Sequence, residues 1–160
     1  MRAPGSLPHL ARRFFGTFRA RRPSPAEQTM IAGFLTLAEL RLFWLQPVVD
    51  QHHAVAVAAR VAAASDDPIL VRAALLHDIG KRHSGIGVVE RSVASALAIA
   101  RLPVRGRLRS YLDHGRLGAA DLAAAGSDPI VVGFAEHHHS DRPPEIDPQS
   151  WALLCAADDD

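Results

Sequence analysis

The stretch Ala73–Lys81, which reads AALLHDIGK, decides how this sequence of 160 residues is interpreted. An apolar helical run ends there in an adjacent histidine and aspartate, His77 and Asp78. Burying an imidazole beside a carboxylate is costly unless something compensates, and a metal ion is a common compensation. Eight of the nine histidines fall in residues 52–139, which also favours a metal site.

The length and composition are typical of a single domain that forms without disulfide bonds. A chain of 160 residues can bury a sizeable core, and its one cysteine, Cys155, excludes an internal disulfide and fits a reducing compartment. The formal net charge of +1 indicates no overall preference for nucleic acid or an anionic membrane. No apolar run is long enough to span a bilayer and no secretory signal is recognisable, so we expect a cytoplasmic protein.

Residues 1–23 differ in composition from the rest of the chain. They contain six arginines and no acidic residue, with leucines and phenylalanines interleaved. A basic amphipathic stretch of this kind could lie on a membrane surface or touch RNA. The simpler interpretation is an arm whose phenylalanines dock on its own domain. We therefore divide the chain into an N-terminal arm over residues 1–23 and a helical domain over residues 24–160.

Helix start signals recur throughout the predicted domain. Ser24 and Thr36 are each followed three residues later by Glu, the pattern of a capping box. Asp-Pro pairs, the first of them at Asp67, open three later helices. Asp50 is expected to cap another helix over residues 51–64. Because no stretch alternates between apolar and polar residues, we predict an all-α fold.

Helical spacing separates the histidines that face the core from those that face solvent. His53 shares a helix face with two valines, whereas His52 lies on the solvent side of the same helix. His139 falls off the apolar stripe of its helix and is expected to be exposed. Any single histidine is more often a plain core or surface residue than a ligand, but the inward set as a whole indicates a metal site. Its members are His53, His77, Asp78, His114, His137, His138 and Asp158.

In chain order these residues follow the pattern H…HD…H…HH…D. The pattern resembles the HD superfamily of metal-dependent phosphohydrolases, in its HDIG subgroup. HAVAVA at residues 53–58 looks like the first-helix motif of that family. HGRLGAADLAAAG at residues 114–126 is similar to the segment before the paired histidines in the HD-GYP and cyclic-dinucleotide phosphodiesterase branches. The likeness covers residues 50–160, and ALLHDIGK is its most specific part.

This resemblance implies a helical bundle that encloses a binuclear metal site. Carried over residue by residue, the first metal would have four ligands: His53, His77, Asp78 and Asp158. The second metal would share Asp78 as a bridge and have three histidine ligands: His114, His137 and His138. Imidazole and carboxylate ligands suit two divalent transition metals, with iron or manganese favoured and zinc, cobalt and nickel also compatible.

The resemblance also implies catalytic roles for Asp78 and Lys81. Two such ions would lower the pKa of a bridging water, yield hydroxide at neutral pH and polarise phosphoryl oxygens. Lys81 follows His77 by four residues, so it is expected to face the same side and contact a substrate phosphate near the mouth of the site. Four arginines between the two halves of the site could steer a phosphate-bearing ligand or form a solvated helix face: Arg101, Arg105, Arg107 and Arg109.

The sequence departs from the HD-GYP branch at two places. Those proteins carry a glutamate four residues before the first histidine and a GYP loop after the histidine pair, where this chain has Val49 and SDRPPE at residues 140–145. Both differences argue against a three-metal site and against cyclic di-GMP as the substrate. We expect a phosphodiesterase or phosphatase whose partner is a phosphate-containing small molecule, a nucleotide or cyclic dinucleotide. Two alternatives stay open: a non-catalytic metal- and ligand-binding signalling module, and a di-iron oxygenase.

Overall fold

The computed structural model describes residues 20–159, and within that range all regular structure is helical, with no β-strand. The predicted all-α fold is therefore confirmed. Residues 1–19, which form most of the predicted arm, lie outside the described residues. Over residues 20–159 there are nine α-helices and one 3₁₀ helix (Ile79–His83). The α-helices are α1 (Pro25–Phe34), α2 (Leu37–Trp44), α3 (Val48–Ala64), α4 (Pro68–Leu76), α5 (Val88–Ile99), α6 (Gly106–Leu112), α7 (His114–Ala124), α8 (Pro129–His137) and α9 (Pro148–Asp159).

The helix start signals are confirmed with one exception. Both predicted capping boxes form, at Ser24 and at Thr36, and satisfy backbone N–H groups that a helix start leaves unpaired. Asp50, however, does not cap a helix. Helix α3 begins at Val48, directly after Pro47, so Asp50 lies in its first turn and is buried there.

Helix α4 is the central element of the bundle, in contact with α1, α2, α3, α8 and α9. From Leu70 to Leu76 every residue except Arg72 is buried. Arg72 donates to the fully buried carboxylate of Glu39 at 2.7 Å, and Ser127 donates to the same oxygen at 2.8 Å. These bonds from α4 and from the loop after α7 offset the cost of burying a carboxylate.

The chain tightens immediately after α4, because Ile79–His83 forms a 3₁₀ helix that the sequence pattern did not predict. A Cβ atom added at Gly80 would lie 1.9 Å from the carbonyl oxygen of His114 and 2.6 Å from the backbone nitrogen of Gly118. Only glycine leaves room for this approach. Gly118 of α7 meets the 3₁₀ helix here.

Helix α7 approaches α8 just as closely. A Cβ atom added at Gly115 would lie 2.7 Å from the carbonyl oxygen of Glu136. The two close approaches set the start of α7, and with it His114, into the corner between the 3₁₀ helix and α8.

Replacing Gly80 with alanine is expected to destabilise the protein by about 2–3 kcal/mol, because the new methyl group collides with backbone atoms that cannot move independently. Urea denaturation followed by circular dichroism measures this change. Gly33→Ala is the matched control: it lies in α1 with nothing within 4 Å of the added Cβ, so it should be neutral or stabilising by up to about 1 kcal/mol. Equal stabilities for the two variants would contradict the close-packing role of Gly80.

Candidate metal centre

Five segments deliver histidine and aspartate side chains to one end of the bundle. Most of these side chains lie at a helix terminus, where the chain can turn a polar group away from the apolar core. His53 lies within α3, His77 and Asp78 directly follow α4, His114 is the first residue of α7, His138 and His139 directly follow α8, and Asp158 lies in the last turn of α9.

The first ligand group consists of His53, His77 and Asp158, whose ligand atoms all lie within 4.8 Å of one another. Asp158 Oδ1 lies 3.0 Å from Nε2 of His53 and 3.3 Å from Nε2 of His77. The packing of α9 against α3 and α4 brings these residues together. His52 is not in this group, so the structure brings in the member of the doublet that helical spacing turned inward.

The second ligand group consists of Asp78, His114, His138 and His139, again with ligand atoms within 4.8 Å of one another. Oδ1 of Asp78 lies 3.4 Å from Nε2 of His114 and 3.4 Å from Nε2 of His138. The two imidazole nitrogens lie 3.3 Å apart. The packing of α7 against α8 and the 3₁₀ helix produces this arrangement.

Asp78 stands between the two groups and presents one oxygen to each. Oδ1 faces His114 and His138, whereas Oδ2 lies 3.3 Å from Nε2 of His77 and 3.9 Å from Nε2 of His53. The carboxylate is only 1% exposed, so its two oxygens are aimed by the fold rather than by solvent. One carboxylate therefore faces both ligand groups.

Three of the histidines are oriented by main-chain carbonyl groups. Each donates from Nδ1 to the carbonyl oxygen three residues earlier, which leaves Nε2 turned toward the centre. The bonds are His77 to Ala74 at 2.8 Å, His114 to Tyr111 at 2.6 Å and His138 to Ala135 at 2.9 Å. These acceptors could not be identified from the sequence, because every residue has a carbonyl group.

The carboxylates make the centre attractive to positive charge. Burial lowers the pKa of His77, but Asp78 and Asp158 raise it more, to about 10. Burial raises the pKa of Asp78, yet Lys81 and His77 lower it well below its ordinary value. The first group therefore holds a proton on His77 at neutral pH, and a divalent cation would compete with that proton for Nε2.

The unsatisfied polar atoms of the centre are evidence for a transition metal that does not depend on the sequence pattern. Nε2 of His77 and Oδ1 of Asp78 are buried and lack a hydrogen bond of acceptable geometry in the described part of the chain. Nε2 of His114 and Nε2 of His138 lie 3.3 Å apart and both face Oδ1 of Asp78. Because both rings donate from Nδ1 to carbonyl groups, their neutral forms bring lone pairs together at this point with no donor between them. Imidazole nitrogen and carboxylate oxygen are ligands that iron, manganese and zinc accept.

Lys81 does not lie where its spacing from His77 predicted. Its side chain is buried and its ammonium group donates to Oδ2 of Asp78. A 3₁₀ helix has three residues per turn, so Lys81 aligns with Asp78, three residues before it, rather than with His77, four residues before it. Lys81 thus neutralises the bridging carboxylate from inside the site instead of standing at its mouth.

The structure places His137 and His139 differently from the sequence prediction. His137, half-buried, is outside both ligand groups, and its Nδ1 lies 3.2 Å from Oγ of Ser140. His139, predicted to be exposed and uninvolved, keeps an exposed face but contributes to the second group, with its ring centroid 4.0 Å from that of His138. Helix α8 ends at His137, so the 3.6-residue period that placed His139 outside does not apply beyond that point.

Further side chains brace the centre from α5 and α6. Arg91 forms a two-pronged ion pair with Asp50, at 2.6 and 2.8 Å, and its guanidinium lies 5.8 Å from the ring centroid of Tyr111. Tyr111 in turn stacks on His114 at 5.6 Å. Nothing in the sequence indicates this chain of contacts, because Asp50 and Arg91 are 41 residues apart.

The four arginines that could steer a ligand all follow α5 in the chain, and their contacts differ. Arg107 donates to the carbonyl groups of Ser84 and Gly85, and Arg109 donates to Asp113 at 2.8 Å. Both therefore have structural partners.

The sequence matches the family model of the HD domain over residues 51–159. The chain therefore belongs to the HD domain family, which lies within the superfamily of metal-dependent phosphohydrolases. No curated protein matches the sequence, and no solved structure does. The matched range includes every residue of the two ligand groups.

The placement of His137 and His139 gives a matched pair of variants. His139→Ala should lower metal occupancy of the second group, because it removes one of four ligands, whereas His137→Ala should leave the metal content near wild type. Elemental analysis after metal-replete purification measures both. Loss of metal in His137→Ala with none in His139→Ala would restore the assignment that the sequence favoured.

Replacing Asp78 with asparagine should remove metal from both groups, because each receives one of its oxygens. The metal-free variant should also lose about 3–5 kcal/mol of stability, since the buried Lys81 and His77 lose their counter-charge. Elemental analysis and thermal melting distinguish the two effects. Asp158→Asn serves as the comparison, because it should deplete the first group alone; full metal content in Asp78→Asn would disprove the bridge.

Proposed function

We propose that this protein is a metal-dependent phosphohydrolase, a phosphodiesterase or phosphatase, that acts on a nucleotide-type phosphoester. The observation that carries the proposal is the placement of Asp78 between two groups of ligands, with one buried oxygen facing each. Membership of the HD domain family supports the reaction class.

We propose two divalent ions, iron or manganese first, held by the two groups that share Asp78. When bound, the ions would supply a water of lowered pKa and Lewis-acid polarisation of the phosphoryl oxygens. The chain's own contribution is to fix the ligands: His77, His114 and His138 are held by their carbonyl acceptors, so the site requires little reorganisation. Assignment to the HDIG subgroup and a cytoplasmic location remain parts of the same proposal.

We assign to Lys81 the role of contacting the phosphate of the substrate. The ammonium group of Lys81 donates to Oδ2 of Asp78 and neutralises that carboxylate. Bound cations would neutralise Asp78 in place of Lys81. The ammonium group of Lys81 would then be a buried donor without a counter-charge. A phosphate oxygen would satisfy it, because a protonated amine offers hydrogen bonds and charge but no lone pair for a metal.

Lys81→Ala is expected to retain metal and to lower hydrolysis by about 10- to 1000-fold, the effect of losing one charged contact to the transition state. The assay is a panel of nucleotides and cyclic dinucleotides, run on protein whose metal content and melting temperature are measured in the same preparation. Arg116→Ala, an exposed cation on α7, is the control and should leave hydrolysis unchanged.

Each rival function has its own outcome in this experiment. Unchanged hydrolysis in Lys81→Ala would remove its role in phosphate contact. Fully metallated wild-type protein that hydrolyses nothing on the panel would favour the non-catalytic metal- and ligand-binding module. Oxygen consumption by the iron-loaded protein would favour the di-iron oxygenase.

A further inference from the structure

The outward face of helix α5 exposes three large apolar side chains: Val89 (67% exposed), Val93 (47%) and Ile99 (53%). The other exposed residues of the helix are Glu90, Ser92, Ala96 and Ala98, so Glu90 is its one exposed charge. Leu102, just beyond the helix, is 53% exposed. A surface helix normally turns several charged residues to solvent, so an apolar face on this scale indicates a partner.

Both charged residues of α5 have partners within the chain. Arg91 points inward to its ion pair with Asp50, and Glu90 accepts a hydrogen bond from the backbone nitrogen of Gly87 at the start of the helix. The ion pair fastens α5 to α3 and sets which face is turned outward. The apolar face is therefore a fixed feature of the fold.

Unpaired positive charge lies at the C-terminal end of this face. A groove there is lined by Arg101, Arg105 and Arg109, together with apolar side chains that include Leu102 and Leu112. Within residues 20–159, Arg101 and Arg105 have neither a hydrogen bond nor an ion pair from their side chains, whereas Arg109 pairs with Asp113.

The backbone at Arg101 supports a functional reason for this charge. Its φ of 56° lies in the left-handed region that favours glycine, and the residue follows the end of α5, where glycine is the usual choice. An arginine at this position carries a conformational cost, and such costs concentrate at sites of function.

Along the whole sequence, basic residues are also concentrated in segments without acidic residues. Residues 1–26 and 91–112 hold 11 of the 18 basic residues and none of the 17 acidic ones. The net charge of +1 conceals this separation. An apolar helix face beside a basic cluster is the combination that binds anionic lipid headgroups and shallow acyl chains.

We propose that the outward face of α5, with Arg101 and Arg105, is a docking surface for an anionic lipid membrane. Val89, Val93 and Ile99 enter the headgroup boundary, and the arginines contact lipid phosphates. A second copy of the chain is the rival occupant, and gel filtration distinguishes it in the test below. Within residues 20–159 none of the helices combines the length and apolar character that a bilayer crossing requires, and docking on the surface needs neither.

The test is co-sedimentation of the full chain with vesicles of phosphatidylcholine alone and of phosphatidylcholine mixed with phosphatidylglycerol. Wild-type protein should bind the anionic vesicles and lose binding as salt is raised. Val93→Glu should weaken binding at least about tenfold by placing a charge in the apolar face. Arg101→Gln should weaken it about fivefold, the effect of one basic residue at a charged membrane.

Leu37→Glu is the matched control, because Leu37 is 78% exposed but lies on α2; it should bind as wild type does. Melting temperature and metal content should be unchanged in Val93→Glu, which separates this test from that of the metal centre. Equal sedimentation with both vesicle types would overturn the proposal. So would undiminished binding in Val93→Glu with loss in Phe14→Ser, which would assign the contact to residues 1–19, or a dimer in gel filtration that Val93→Glu dissociates.

Discussion

The structure depends on one buried carboxylate that faces cationic or cation-seeking groups on both sides. Asp78 directly follows the most buried helix of the bundle, and its pKa is held well below the ordinary value by Lys81 and His77. A charge at that depth is tolerated only with compensation, so the elements that surround it must supply partners. The helices α3, α7 and α8 each contribute a histidine whose Nε2 lies within 4 Å of this carboxylate. Helix α9 instead brings a second carboxylate, Asp158, to His53 and His77.

Sequence reasoning worked as long as the α-helical period held. The helical period predicted that His53 rather than His52 faces the site, and the structure brings six of the seven predicted ligands together. Among the site residues, the predictions that changed concern Lys81, His137 and His139, which lie at or beyond a helix end. There the chain enters a 3₁₀ helix or a turn, and spacing of 3.6 residues no longer gives direction. The ion pair of Asp50 with Arg91 was inaccessible for another reason: it joins distant residues, and no local pattern records such contacts.

Composition averages also concealed how the polar groups are distributed. A net charge of +1 suggests a surface with no preference for anionic partners. Yet 11 of the 18 basic residues lie in two segments that hold no acidic residue. Glu39 shows the same point inside the fold. Burial raises its pKa, but hydrogen bonds from Arg72, Thr36 and Ser127 lower the pKa by more, so the carboxylate stays ionised. In both cases the position of a charge relative to its neighbours determines its effect.

The hydrogen bonds from Nδ1 of His77, His114 and His138 to carbonyl groups three residues earlier have a consequence for how this centre can vary. A ring held by the main chain keeps its direction whatever side chains surround it. Neighbouring residues are therefore free to change polarity, volume and charge while the three nitrogens stay aimed at the same point. The surroundings of the centre can therefore diverge without rebuilding these three histidines, since their orientation is set by the helix termini.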